Sequence, residues 1–158
     1  MARYVLSDAS PSIGLAIVDG LAWLPALFNE VWIPPSVQRE VLPGVGTPGE
    51  LEIAAEIKRK SLKVWKKTIQ VPSVDVAHLD EGETDCIRIA LSEGVANAVI
   101  LMDERAGRAV AIELGIRVTG TAAVIGFAKA RFECLHASDF RISADVIQTV
   151  LRGVGELS

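Results

Sequence analysis

Short apolar runs alternate along this chain with stretches in which apolar residues recur every three or four positions. Residues 3–7 predict a strand, and Ser10-Pro11 a helix start, with Ser10 as cap and Pro11 in the first helical position. Two short helices follow over 12–18 and 21–28, split by Asp19-Gly20. Residues 30–33 read as a second strand, which Pro34-Pro35 ends before a helix over 36–42. After a turn-rich break at 44–49 the pattern predicts a helix over 48–60, a strand near 62–65 and a looser one around 69–71. Asp80 opens a helix over 81–93 that Gly94 stops. A strand over 98–102, a helix over 104–114, a strand over 116–119 and a helix over 121–131 come next. Residues 143–153 read as a last amphipathic helix, with Val146, Ile147, Val150 and Leu151 on one side. Strands alternating with helices at this spacing predict an α/β chain whose parallel sheet is covered on both faces. No repeat, low-complexity segment or long linker divides it, so residues 1–158 are expected to form a single domain.

Composition narrows the class. Half the residues are hydrophobic and 23% are charged, which suits a globular core and excludes disorder. The net charge of −4 provides no long-range attraction for nucleic acid, although a local basic patch can still bind it. Cys86 and Cys134 sit singly in apolar helical stretches without a Cys-x-x-Cys, so they predict buried thiols in a reducing compartment. Ser7 and Asp8 interrupt the first apolar run, against a secretory segment. Residues 13–28 are broken by Gly14, Asp19, Gly20 and Pro25 and are too short to span a bilayer. A cytoplasmic protein, with no membrane segment, is the expectation.

The chemistry starts with two aspartates. Asp8 follows the first predicted strand and Asp103 the fourth well-defined one, and residues past the carboxyl ends of parallel strands line the crevice where ligands bind. Two carboxylates there suit a hard divalent cation, which takes oxygen ligands. Glu40, on the helix after strand two, and Glu83, in the first turn of the helix from Asp80, complete a candidate set of four. Four converging acids would bind one or two Mg²⁺ or Mn²⁺, ions that activate water and stabilise both oxygens of a phosphodiester displacement. Each acid also has a structural reading. Asp103 can cap its helix, and Asp80 to Glu83 has capping-box spacing. Glu40 can be a solvated helix residue, and Asp8 can bond nearby loop amides, although Ser10-Pro11 already supplies that helix with a cap.

Other signals are weaker. Gly44-Val45-Gly46-Thr47-Pro48-Gly49 matches Gly-x-Gly-x-x-Gly, but a helix precedes it and a proline interrupts it, so it reads as a turn. His78 and His136 lack partners at zinc-ligand spacing. Arg105 and Arg108 stand where they can contact phosphates beside the acids, or form a solvated face. The lysines around Trp65 can extend a nucleic-acid path, with a plain solvated helix end as the simpler account.

Together, Ser7-Asp8-Ala9-Ser10-Pro11, the segment Ile33-Pro34-Pro35-Ser36-Val37-Gln38-Arg39-Glu40-Val41, Leu79-Asp80-Glu81-Gly82-Glu83 and Leu101-Met102-Asp103-Glu104-Arg105-Ala106-Gly107-Arg108 resemble the PIN domain, a family of metal-dependent nucleases that includes VapC-type toxins. Thr119-Gly120-Thr121 and Phe140-Arg141-Ile142-Ser143 are similar to a sparsely characterised prokaryotic branch of it. The resemblance runs over nearly the whole chain and implies a three-layer α/β/α, Rossmann-like fold with a central parallel sheet. It implies Asp8, Glu40, Glu83 and Asp103 as catalytic, metal-holding acids, with Asp85 as a competitor for the third position, Glu104 as an extra acid and Ser10 as a hydroxyl supporting Asp8. It further implies RNA as substrate, Mg²⁺ or Mn²⁺ as cofactor, a homodimer and a small antitoxin that occludes the groove. A module that binds RNA or protein without cutting, and a nucleotide-binding α/β domain, are the competing readings.

Overall fold

A computed structural model describes residues 2–71, 76 and 78–135. Their five strands are β1 (Tyr4–Ser7), β2 (Val31–Ile33), β3 (Leu62–Val64), β4 (Ala98–Leu101) and β5 (Arg117–Thr119). All pair in parallel, in the order β3-β2-β1-β4-β5. The helices are α1 (Ala9–Ile17), α2 (Trp23–Phe28), α3 (Pro35–Val41), α4 (Glu50–Lys58), α5 (Glu81–Glu93), α6 (Arg105–Glu113) and α7 (Thr121–Leu135).

Side chains alternate across a strand, and a sheet covered on both faces is apolar on both. Val5, Val31, Ile33, Leu62 and Leu101 face one core, closed by Leu15 of α1, Val37 of α3, Ile53 of α4 and Val124 of α7. Leu6, Ile100 and Met102 face the other, closed by Ile87 and Ile89 of α5 and Ala111 of α6. The fold is therefore the expected three-layer α/β/α arrangement around a parallel sheet. Among the described residues no helix is long and apolar enough to cross a membrane.

The structure departs from the sequence reading in a few places. No strand forms at residues 69–71. The edge is already made by β3, whose ladder ends with the Trp65 amide donating to Ile33, while Ile69 packs on the second core from irregular backbone. Helix α1 begins at Ala9 instead of after Ser10, so Asp8 holds the N-cap position and Pro11 lies within the first turn. Proline is tolerated there because the first-turn amides have no intrahelical acceptors. Asp103 does not cap the helix after it: Glu104 occupies that position and makes no capping bond either. The glycine-rich turn has an unforeseen anchor in Glu50, which accepts from the amides of Gly44, Gly46 (2.7 Å) and Thr47 (3.0 Å). The expected helix over 143–153 and His136 lie outside the described residues.

Candidate active site

The chain builds β1, β2 and β3 outward on one side, then returns to lay β4 on the free side of β1. Strand order reverses between β1 and β4, and such a reversal opens a crevice at the strands' carboxyl ends. Ser7 and Leu101 are register partners across it. Asp8 is thus the next residue past β1, and Asp103 lies two residues past β4. The Asp8 amide donates to the Leu101 carbonyl at 3.0 Å, which fixes the first acid to the neighbouring strand.

Asp8 is 2% exposed. Its side chain makes no capping bond to α1, and its Oδ1 is enclosed with no hydrogen-bond partner among the described residues. That oxygen lies against Gly82 in the first turn of α5, where a Cβ would come within 2.9 Å of it. Burial is the largest influence on the carboxyl and pushes its pKa up to about 7. The Ala9 amide pulls the other way, while the carboxylates of Asp80, Glu83 and Glu40 raise it further.

Glu83 serves two purposes at once. The capping box foreseen in the sequence is complete: the Glu83 amide donates to Asp80 at 2.8 Å, and Glu83 Oε2 accepts from the Asp80 amide at 3.1 Å. Its other oxygen, Oε1, is enclosed and unpartnered among the described residues. It faces Gly107 of α6, where a Cβ would meet it at 2.9 Å. The Glu83 carboxyl is held above its ordinary pKa, first by burial and then by Asp80, Glu104 and Glu40. Glu40, exposed on α3, is raised by partial burial and by Asp80.

Three of the four sequence candidates, Asp8, Glu40 and Glu83, therefore share one electrostatic cluster. Asp80 belongs to it as well, and the density of acids in Asp80-Glu81-Gly82-Glu83 was the only sequence sign of that. Asp103 is held by Thr121. Its Oδ1 accepts from the Thr121 amide and its Oδ2 from the Thr121 hydroxyl, both at 2.7 Å, so it ties the end of β4 to the start of α7. Asp85 is engaged by the Ser36 hydroxyl at 2.7 Å and by Arg88 at 3.7 Å. Among the described residues, no three carboxylate, histidine or cysteine side chains stand in the geometry of a metal shell. The donor chemistry nevertheless fits a hard cation, because enclosed anionic oxygens without a partner are costly unless a positive charge meets them.

Two hydroxyls touch the Asp8 peptide: Ser7 donates to the Asp8 carbonyl at 2.9 Å and Ser12 at 3.2 Å. Ser10 makes no side-chain hydrogen bond among the described residues. Beside Asp103 a groove of about 650 Å³ is lined by Arg105, Arg108, Thr119 and Gly120. Arg108 is anchored there by donating to the Met102 carbonyl at 3.1 Å, and Arg105 is exposed.

No curated protein matches the chain. A family profile described as a PIN domain matches residues 4–156. PIN domains are in general nucleases, which implies a nucleic-acid substrate and, as a rule for the family, divalent metal ions. With a match of that extent over a parallel α/β/α fold, the chain belongs to the PIN domain family.

Proposed function

We propose that this protein is a metal-dependent endoribonuclease that hydrolyses RNA phosphodiester bonds, using Mg²⁺ or Mn²⁺ held by Asp8, Glu40, Glu83 and Asp103. The observation that carries the reading is the pair of enclosed, unpartnered oxygens, Asp8 Oδ1 and Glu83 Oε1, in one acid cluster at the strand-order reversal. A cluster of like charges that raises its own pKa values is a mark of functional sites. Asp8 and Glu83 would hold the ion through those oxygens, with Glu40 and Asp103 completing the set and Asp85 left to its bond with Ser36. When bound, such an ion lowers the pKa of water and stabilises charge on phosphate oxygens. Arg105 and Arg108 would hold the substrate phosphate from the groove beside Asp103. Residues 1–158 would act as one domain, and the resemblance to VapC-type toxins supports a cytoplasmic homodimer restrained by a small antitoxin.

The test is RNA cleavage by the purified protein in Mn²⁺. Asp8→Asn and Asp103→Asn are expected to abolish cleavage while keeping the parent's far-ultraviolet circular dichroism. Full activity in both variants would refute the acid mechanism. A second reading, a PIN-like module that binds RNA or protein without cutting, is favoured by one observation: both oxygens of Asp103 are already engaged by Thr121. Saturable metal binding without cleavage of any RNA would support that reading.

A further inference from the structure

On the sheet face that carries Trp32, the edge made by β2 and β3 is occupied by aromatic rings and lysines. Tyr4 and Trp32 each meet Trp65 edge-to-face, with centroids 5.5 and 5.4 Å apart. Lys63 Nζ lies 5.2 Å from the Trp32 ring, and Lys67 Nζ lies 5.3 and 5.4 Å from the Tyr4 and Trp65 rings. A cavity of about 610 Å³ opens here, with Lys60 and Lys66 also on its wall. Four cations thus line one cavity in a chain whose net charge is −4.

Part of this has a structural account. Lysine on an edge strand discourages pairing with other chains, and aromatic clusters stabilise sheets. That account leaves several features over. Lys60 and Lys66 have no carboxylate partner among the described residues. Lys63 and Lys67 are paired only at the surface, with Glu30 at 2.6 Å and Glu93 at 3.5 Å, and exposed pairs are weak enough for a phosphate to displace. The indole N–H of Trp32 is enclosed beside the cavity without an acceptor among the described residues.

We infer that this edge is a second binding site for single-stranded RNA, built on lysines and aromatic rings that are not part of the acid cluster. Cations that track a backbone, set among aromatic faces, are how single strands are held without sequence readout. The half-buried rings of Tyr4 and Trp32 offer bases a surface, and Lys60, Lys63, Lys66 and Lys67 offer the phosphates their counter-charge. A strand long enough to reach both places would be held at this edge while it is presented to the acids. The identity of the strand as substrate rests on the nuclease reading; its binding does not.

The test is fluorescence anisotropy in EDTA, with labelled oligouridylates of about four and about twelve nucleotides, lengths within the range of known single-strand site sizes. Lys60→Glu/Lys66→Glu changes two exposed side chains and spares the fold. It is expected to weaken the longer oligomer at least tenfold. It should also flatten the salt dependence by about 1.4 in slope, two phosphate contacts at about 0.7 each, and weaken the short one as well where that one binds. Trp32→Leu should weaken the longer oligomer with the salt slope unchanged. Unaltered affinity for the longer oligomer overturns the inference. So does binding to phosphatidylglycerol vesicles with none to RNA. Because binding is read without metal, absence of cleavage in Mn²⁺ would count against the nuclease reading alone, whereas cleavage with insensitive binding would count against this site alone.

Discussion

Thr121 donates both its amide and its hydroxyl to Asp103, one to each carboxylate oxygen and each at 2.7 Å. Both residues are buried, so the pair joins β4 to α7 by bonds that water cannot replace. Hydrogen bonds to a charged acceptor contribute about 1.5–3 kcal/mol. Thr121→Val keeps the shape and the amide bond but removes the hydroxyl, and is expected to lower stability by about that amount. Thr121→Ser should restore most of it. Urea denaturation checks both, and a neutral Thr121→Val would mean that the amide alone holds Asp103.

Two glycines admit the acid cluster. A Cβ on Gly107 would lie 2.5 Å from Met102 Sδ and 2.9 Å from Glu83 Oε1, and one on Gly82 would lie 2.9 Å from Asp8 Oδ1 and 3.0 Å from Val37 Cγ2. Overpacking in a filled interior costs about 1–3 kcal/mol, against about 1 kcal/mol that alanine adds to helix propensity. Gly107→Ala is therefore expected to destabilise, while Gly82→Ala should be closer to neutral in stability. Both should reduce RNA cleavage by more than their unfolding curves imply, since each displaces a carboxylate. Cleavage at the parent's rate in Gly82→Ala would show that the position of Asp8 Oδ1 does not matter.

Which of these relationships could be read from the chain depends on how far apart the partners are. The Asp80–Glu83 capping box spans three positions, and its spacing shows in the sequence. The alternation of strands and helices, and the placement of Asp8 and Asp103 at strand ends, are equally local patterns. Thr121 reaches back eighteen positions to Asp103, and Ser36 reaches forward forty-nine to Asp85. Nothing in the local pattern marks either pair. The looser strand expected at residues 69–71 failed for a related reason: β propensity cannot tell an edge strand from an irregular segment that packs one apolar side chain. Asp8 shows the opposite effect. The sequence assigned the cap to Ser10, yet tertiary packing begins the helix one residue after the acid.

Glu50 holds the 44–49 turn by accepting from three backbone amides and the Thr47 hydroxyl. The Gly44 amide is the largest influence and keeps the carboxyl below its ordinary pKa of 4.5. A depressed pKa contributes stability that is present above the unfolded value and lost as pH falls through the folded one. Glu50→Gln is expected to lower the melting temperature at pH 7, to do so less below pH 4.5, and to speed proteolysis within the turn. Unchanged proteolysis would mean that Gly44 and Gly46 hold their conformation without the carboxylate.

Asp8 has the opposite sign and ties the site to a measurable cation effect. An unfolded aspartate releases its proton near 3.8, and the folded one only near 7. Across that window the folded protein holds the additional proton, so stability falls as pH rises from 4 to 7 and stays low above. The shift corresponds to at most about 4 kcal/mol. Asp8→Asn cannot ionise, so it is expected to match the parent near pH 4 and to be the more stable protein at pH 8. A divalent cation should act on the same term from the other side. At about a hundred times its Kd, an ion bound only by the folded state adds about 2.7 kcal/mol. Mn²⁺ should therefore raise the parent's melting temperature at pH 8 and much less at pH 5, where a proton occupies Asp8. It should leave Asp8→Asn nearly unmoved. Equal stabilisation of parent and variant at pH 8 would place the ion away from Asp8, and a parent whose stability is flat from pH 5 to 8 would show that the carboxyl is not held protonated by burial.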